Sequence, residues 1–477
     1  MRRLRILAAG AAALALAGCA VGPRYVSPEP RAPGQGAFLG AASPAVSPAP
    51  PPGDWWRLYQ DPALDGLIAE ALKANTDLRQ AAAHLAQARA ALRETRSSLT
   101  PQTTLSGAVS RGRDSAATLG LGARQPDRTT FDAGLDVSYE LDLFGRLRRG
   151  IEASRADLGA VQAAYDLARV TVVADTTRAY ADACAYGQQL DVARRALELQ
   201  QQSYDLTQGL LKAGRGTALD VARAGSLLDQ TRAQIPQLQA QRKGALYRLA
   251  VLTGRPPAEV SPAAEACRTP PVLRQPIPVG DGAALLARRP DVREAERTLA
   301  ASTARIGVAT ADLYPSVTLG ASAGSTAASF GGLGRSNAFR FSVGPLIQWT
   351  FPNILAAKAR IAQARAAAAA DLAAFDGTWL TALQETETAL AAYAGQLDRV
   401  SALTGARDQA ATASRLAHAR FRSGLVSFID VLDADRTLAD ADTALAQAQA
   451  QLSADQIALF LALGGGWQGA GSQTSTG

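Results

Sequence analysis

Few residues in this chain of 477 could do chemistry. Its two histidines, His84 and His418, sit apart among charged or polar neighbours of helical pattern and read as solvated, so neither a zinc site nor histidine-based catalysis has its ligands. No Walker-type or HExxH motif is present, and nothing in the sequence supports an enzyme or a cofactor. Cys184 and Cys267 can pair under oxidising conditions, joining a long helix to a connector; two buried thiols are the alternative. One acidic stretch remains, Phe428 to Arg436. There Ile429 and Asp433, four apart, share a helix face, with Asp430 and Asp435 beside them and Arg436 or Arg223 as possible partners. A solvated acidic face favoured by the dipole of a helix start is the plainer reading.

The third cysteine belongs to the start of the chain. Arg2, Arg3 and Arg5 precede an apolar run from Leu4 to Leu16, too short to stay across a bilayer, so residues 1–18 read as an export signal. Leu16-Ala17-Gly18-Cys19 resembles the lipobox of bacterial lipoproteins, in which Cys19 would become the acylated N-terminus. Ala20, where an aspartate would matter for sorting, resembles outer-membrane lipoproteins. Acyl chains of this kind hold a protein at a membrane surface without spanning it.

Hydrophobic content of 47% with only 5% aromatic residues means that alanine and leucine supply the apolar mass, which favours close-packed helices. The formal net charge of +7 includes three arginines of the export signal, and what remains is spread along the chain without a dense basic run. Nucleic-acid binding is therefore not expected.

The chain repeats itself at an offset of about 210 residues. Asp77, Arg79, Leu85, Leu99 and Pro101 match Asp291, Arg293, Leu299, Leu313 and Pro315; Gly214, Asp220, Val221 and Gly254 match Gly424, Asp430, Val431 and Gly464. Each half follows one plan: a helix (about 62–98 and 281–312), a strand pair, a very long helix, a glycine tip and a return helix (about 217–254 and 427–463). Residues 146–213 and 354–423 contain no proline, enough for roughly 100 Å of helix in each half. Glycine is expected where such a helix stops and the chain reverses.

The strands alternate with period two. Leu135, Val137, Tyr139, Leu141 and Leu143 interleave with Asp136, Ser138, Glu140 and Asp142. Phe339, Phe341, Val343, Ile347, Trp349 and Phe351 oppose Arg340, Ser342, Gln348 and Thr350. Hairpin partners start after Pro101 and Pro315. A soluble sheet and a membrane barrel both read this way; the export signal and strands near ten residues favour the barrel. Four strands cannot close one, and an open edge in lipid leaves backbone groups unpaired, so several chains must contribute.

At these residues the sequence resembles the TolC-like outer-membrane efflux factors, in particular the NodT-type lipoproteins that serve RND pumps. The resemblance rests on Leu285 to Arg297, Ala304 to Ala309, Ala311 to Ser316 and Tyr139 to Arg146, and on Cys19 with Val21-Gly22-Pro23. Phe351-Pro352-Asn353 departs from the family's usual turn. The resemblance implies a mainly α fold with a small β part: a long antiparallel α-helical barrel forming a periplasmic tunnel, plus four transmembrane strands per chain in a 12-stranded barrel of a homotrimer. It implies a passive conduit that exports drugs or other small molecules from the periplasm. Its partners would be a periplasmic adaptor (membrane-fusion protein), an inner-membrane RND transporter and outer-membrane lipid. Type I protein secretion is the alternative.

The domains expected are a signal (1–18), a lipid-anchored Pro-rich tether (19–60), two repeats (61–270 and 271–464) and a flexible tail (465–477). Gly214, Arg215 and Thr217, with Arg422, Ser423, Gly424, Leu425 and Val426, form the tips expected to meet the adaptor. Phe428 to Arg436 resembles the family's constriction, which makes Ile429, Asp433 and Asp430 a periplasmic gate whose carboxylates disfavour anions.

Overall fold

The computed structural model describes residues 20–28, 36–113, 115, 126–273, 275–352 and 354–465. Cys19, the export signal and most of the tail lie outside these residues. In chain order the elements are β1 (Val46–Ser47), α1 (Pro62–Ala74), α2 (Thr76–Ser97), β2 (Gln102–Gly112), β3 (Arg128–Leu141), α3 (Arg146–Lys212), α4 (Ala218–Leu252) and α5 (Pro262–Ala266). There follow β4 (Ile277–Pro278), α6 (Gly282–Arg288), α7 (Pro290–Ala311), β5 (Ser316–Ala327), β6 (Phe339–Gln348), α8 (Ile354–Arg422) and α9 (Phe428–Ala462). The same order of long elements thus occurs twice.

The first helix of each half, expected as one piece, is two. Asn75 has extended ψ, and its side-chain Oδ1 accepts from the amides of Asp77 (2.9 Å) and Leu78 (3.1 Å), so it ends α1 and caps α2. In the second half Pro290 forces Arg289 out of the helical region, to φ −64° and ψ 120°. The two breaks carry out one task. Asn75 donates through Nδ2 to the Leu252 carbonyl (3.0 Å), and Arg289 through Nη1 to the Ala462 carbonyl (3.0 Å), the equivalent atom 210 residues on.

The chain forms two compact units, each drawing segments from both halves. The first (residues up to 28, 85–161 and 295–375) holds a four-stranded antiparallel sheet in the order β2-β3-β5-β6. Its register puts Leu105, Leu135, Ala323 and Phe341 in one row across the sheet. The same face carries Val109, Leu319, Phe339, Val343 and Ile347, all exposed. The opposite face is polar: the Ser322 and Ser342 hydroxyls lie 2.9 Å apart, and Arg340 reaches the Asp132 carboxylate at 3.0 Å. Leu143, Trp349 and Phe351 lie just past the strands, where Phe144 stacks on Tyr314 and Trp349 on Phe351.

The second unit (29–84, 162–294 and from 376 on) has its core around Trp55, Leu64, Ile68, Leu249, Ile277, Leu390, Leu459 and Phe460, with Trp55 stacked on Phe460 at 4.6 Å. Asp61 caps α1 and accepts from the Tyr180 hydroxyl at 2.8 Å. Val46 and Ile277 pair in a short parallel bridge that ties the N-terminal segment to the connector.

Candidate functional site

Both long helices stop in the same way. The Arg215 amide donates to the Leu210 carbonyl (2.9 Å) and the Gly214 amide to the Leu211 carbonyl (3.0 Å); Leu425 to Arg420 (2.9 Å) and Gly424 to Phe421 (2.9 Å) repeat the pattern. Such a turn needs a left-handed residue at its apex, and Gly214 and Gly424 supply it with φ of +68° and +70°. The return helices then start on matched capping boxes, Thr217 with Asp220 and Ser427 with Asp430. Arg215, Thr217, Arg422, Ser423 and Leu425 are exposed around the two turns and Val426 is half-buried.

These caps assign Asp430 a structural task. Its carboxylate accepts from the Ser427 amide (2.9 Å) and hydroxyl (2.8 Å), away from any arginine among the described contacts. Asp433 is exposed and pairs instead with Arg436, at 3.1 Å. Ile429 is exposed beside it at 44%. Behind this face Phe428, Val431 and Leu432 pack with Ala224, Tyr204 and Phe421, fixing which way Ile429 and Asp433 point. A groove of about 350 Å³ separates this stretch of α9 from α4, lined by Ile429, Leu432, Asp433 and Arg436 on one side and Arg223, Ser226, Leu227 and Gln230 on the other.

Asp435 and His418 correct the sequence reading. Asp435 is buried and pairs with no arginine among the described residues; it accepts from the Ser414 hydroxyl (2.7 Å) and lies 3.0 Å from His418 Nε2 through each oxygen. His418 is thus fastened to a buried carboxylate across the hairpin, whereas His84 is exposed. The sequence hid this cluster because its members sit on two helices, 17 to 21 residues apart. The sequence also contains the spacing G-x-S-x-G, at Gly320-Ala321-Ser322-Ala323-Gly324. Ser322 there is mid-strand in β5 and bonds to Ser342, with no histidine among its contacts.

Cys184 and Cys267 form a disulfide that fastens α3 to the residue after α5. In the first unit the chain after Cys19 is docked, not loose. The Val21 amide donates to the Phe144 carbonyl (3.1 Å), and Arg149 reaches the carbonyls of Val21 (3.3 Å) and Gly22 (3.4 Å). Tyr25 donates to Glu296 at 3.0 Å, and burial pushes its phenol up to about 12, so it remains a donor. Ala20 therefore sits against Gly145, at the turn from strand to helix.

The sheet thus has one apolar face, and the two helical hairpins end in matched tips. The outer membrane efflux protein family matches residues 67–255 and 283–465. The chain belongs to that family. It is 32% identical to Nodulation protein T of Rhizobium leguminosarum bv. viciae over 97% of this chain and 93% of that protein. Outer membrane protein OprJ of Pseudomonas aeruginosa is 32% identical over 95% of this chain and 94% of its own. Among solved structures the outer-membrane channel OprN is similar at a TM-score of 0.88 and 36% identity, covering 94% of this chain and 100% of that one. The fold is that of TolC-like channels, and this outer membrane efflux protein is an outer-membrane protein of transport.

Proposed function

We propose that this outer membrane efflux protein is the outer-membrane channel of a tripartite RND-type system, a passive conduit for drugs or other small molecules and not an enzyme. One observation carries the reading: the four-stranded sheet has an apolar face with exposed side chains, and the outer edges of β2 and β6 have no partner strand among the described residues. Backbone groups at such edges cannot stay unpaired in lipid, so β2 of one copy pairs with β6 of the next. Three copies give 12 strands, polar inside and apolar outside. The aromatic pairs at Phe144, Tyr314, Trp349 and Phe351 then sit at the membrane boundary.

Cys19 carries the lipid after removal of residues 1–18; 19–60 are the tether, 61–270 and 271–464 the repeats, 465–477 the tail. The Gly214 and Gly424 tips receive the adaptor, and Ile429 with Asp433 closes the bore while Asp430 holds the helix start. The transporter supplies the energy, so the channel needs no cofactor. To test this, the chain would be expressed in a strain lacking its own outer membrane efflux protein, with and without the matching adaptor and transporter. Drug resistance restored only with all three components is expected; none, with the protein present in the outer membrane, would contradict the reading.

A further inference from the structure

The first half of the chain has its own counterpart to the constriction. Leu219 stands where Ile429 stands and Arg223 where Asp433 stands, each pair 210 residues apart. The alignment is also structural, because α4 and α9 both begin on a capping box, at Thr217 and at Ser427, after identical glycine turns. Residues at equal distance from these caps leave their hairpins in the same direction. Leu219 is 56% exposed and Ile429 44%. The two return helices thus leave large apolar side chains bare at matched positions. Arg223 and Asp433 line one groove from opposite sides, and Arg436 adds a second cation to it.

We infer that Leu219 and Arg223 complete the constriction and that Arg223 sets its ion preference. This rests on the trimeric conduit proposed above. Duplication makes the trimer pseudo-sixfold, so the apolar ring holds three leucines and three isoleucines, and the charged ring alternates arginine with aspartate. An aspartate-only ring would repel itself and hold protons or cations. The alternating ring has no such need, and with Arg436 each chain sets two cations beside the Asp433 carboxylate, while the carboxylates of Asp220 and Asp430 are engaged in the helix caps. Charges this close act on a passing ion within the Debye length of about 8 Å at physiological salt. The constriction therefore does not exclude anions, contrary to what the acidic stretch alone implies.

The test is the reversal potential of the purified full-length channel in a planar bilayer under a potassium chloride gradient. Arg223→Gln and Arg223→Asp are expected to move the cation-to-anion permeability ratio toward cations by about threefold or more, since one side chain in a narrow bore carries a large share of the local field. Arg223→Lys should keep the parent ratio and serves as the folding control, and Asp433→Asn should move it toward anions. A shift in Asp433→Asn with none in the Arg223 variants would overturn this inference and leave the constriction standing. No change in ratio or conductance in any of these or in Ile429→Ala would remove the constriction itself.

Discussion

His418 lies 3.0 Å from both carboxylate oxygens of Asp435, bridging α8 to α9 two residues beyond Asp433. In the first hairpin the equivalent positions are Gln208 and Gly225, and there the Tyr204 ring fills the space, 3.3 Å from where a side chain at Gly225 would begin. One hairpin is thus fastened by a polar cluster and the other by an aromatic ring on glycine. Asp435→Ala strands the Ser414 hydroxyl and His418 and should cost about 1–3 kcal/mol. Hydrogen exchange should rise over 414–436 and not over 204–225. Equal protection in variant and parent would show that the cluster does not hold the hairpin.

Gly225→Val should loosen the opposite hairpin, because the added side chain meets Tyr204. Exchange over 204–225 reads this out, and parent-like protection there would count against aromatic packing as the fastening.

Gly214→Val and Gly424→Val should each cost roughly 1–2 kcal/mol, the penalty of a left-handed residue with a Cβ. A side chain at either position points into open space, so the cost is conformational and Asn should be tolerated. Bulky changes at Leu425 and Arg215 should leave stability alone and reduce crosslinking to the adaptor. Intact crosslinking and drug resistance would place docking elsewhere.

Removing the Cys184–Cys267 disulfide frees a span of 83 residues. In the simplest loop-entropy model this costs about 4–5 kcal/mol. Cys184→Ser, Cys267→Ser and the reduced parent should all show a similar fall in melting temperature. Unchanged melting in the reduced protein would mean that packing around Cys184 carries the connection alone.

A side chain at Gly22 would lie 2.5 Å from the Gly307 Cα. Arg24 is exposed but its backbone is held in the docked segment, so Gly22→Val should free residues 20–28 and speed tryptic cleavage after Arg24 while Cys19 is still acylated. Cys19→Ser should lose acyl labelling. Resistance of Arg24 in the first variant, or labelling in the second, would contradict the docked, lipid-bearing start.

Much of this was legible in the sequence. Strands showed because both faces of β3 and β6 are written out in alternation. The helices of α3 and α8 showed because proline is absent from them, and the tips because glycine recurs at a fixed offset. The break at Asn75 is not legible, since only its bonds to the Asp77 and Leu78 amides reveal it as a cap, and helical periodicity continues across the break before Pro290. The acidic stretch misled for a similar reason. Asp430, Asp433 and Asp435 look alike in sequence, yet one caps a helix, one meets Arg436 in the open and one is buried under His418. Which carboxylate stays exposed depends on helix phase relative to partners on other helices, and no local pattern records that.

The proposed function requires that the chain form an open path across the outer membrane, narrowed at the return-helix starts. Single-channel recording of the purified protein in a planar bilayer tests it most directly, comparing the parent with Ile429→Ala, Asp433→Ala and the double variant. Discrete openings are expected in all four, with conductance rising severalfold from parent to double variant as the ring is cut back. Absence of channels in every preparation that retains the native oligomer would contradict the account.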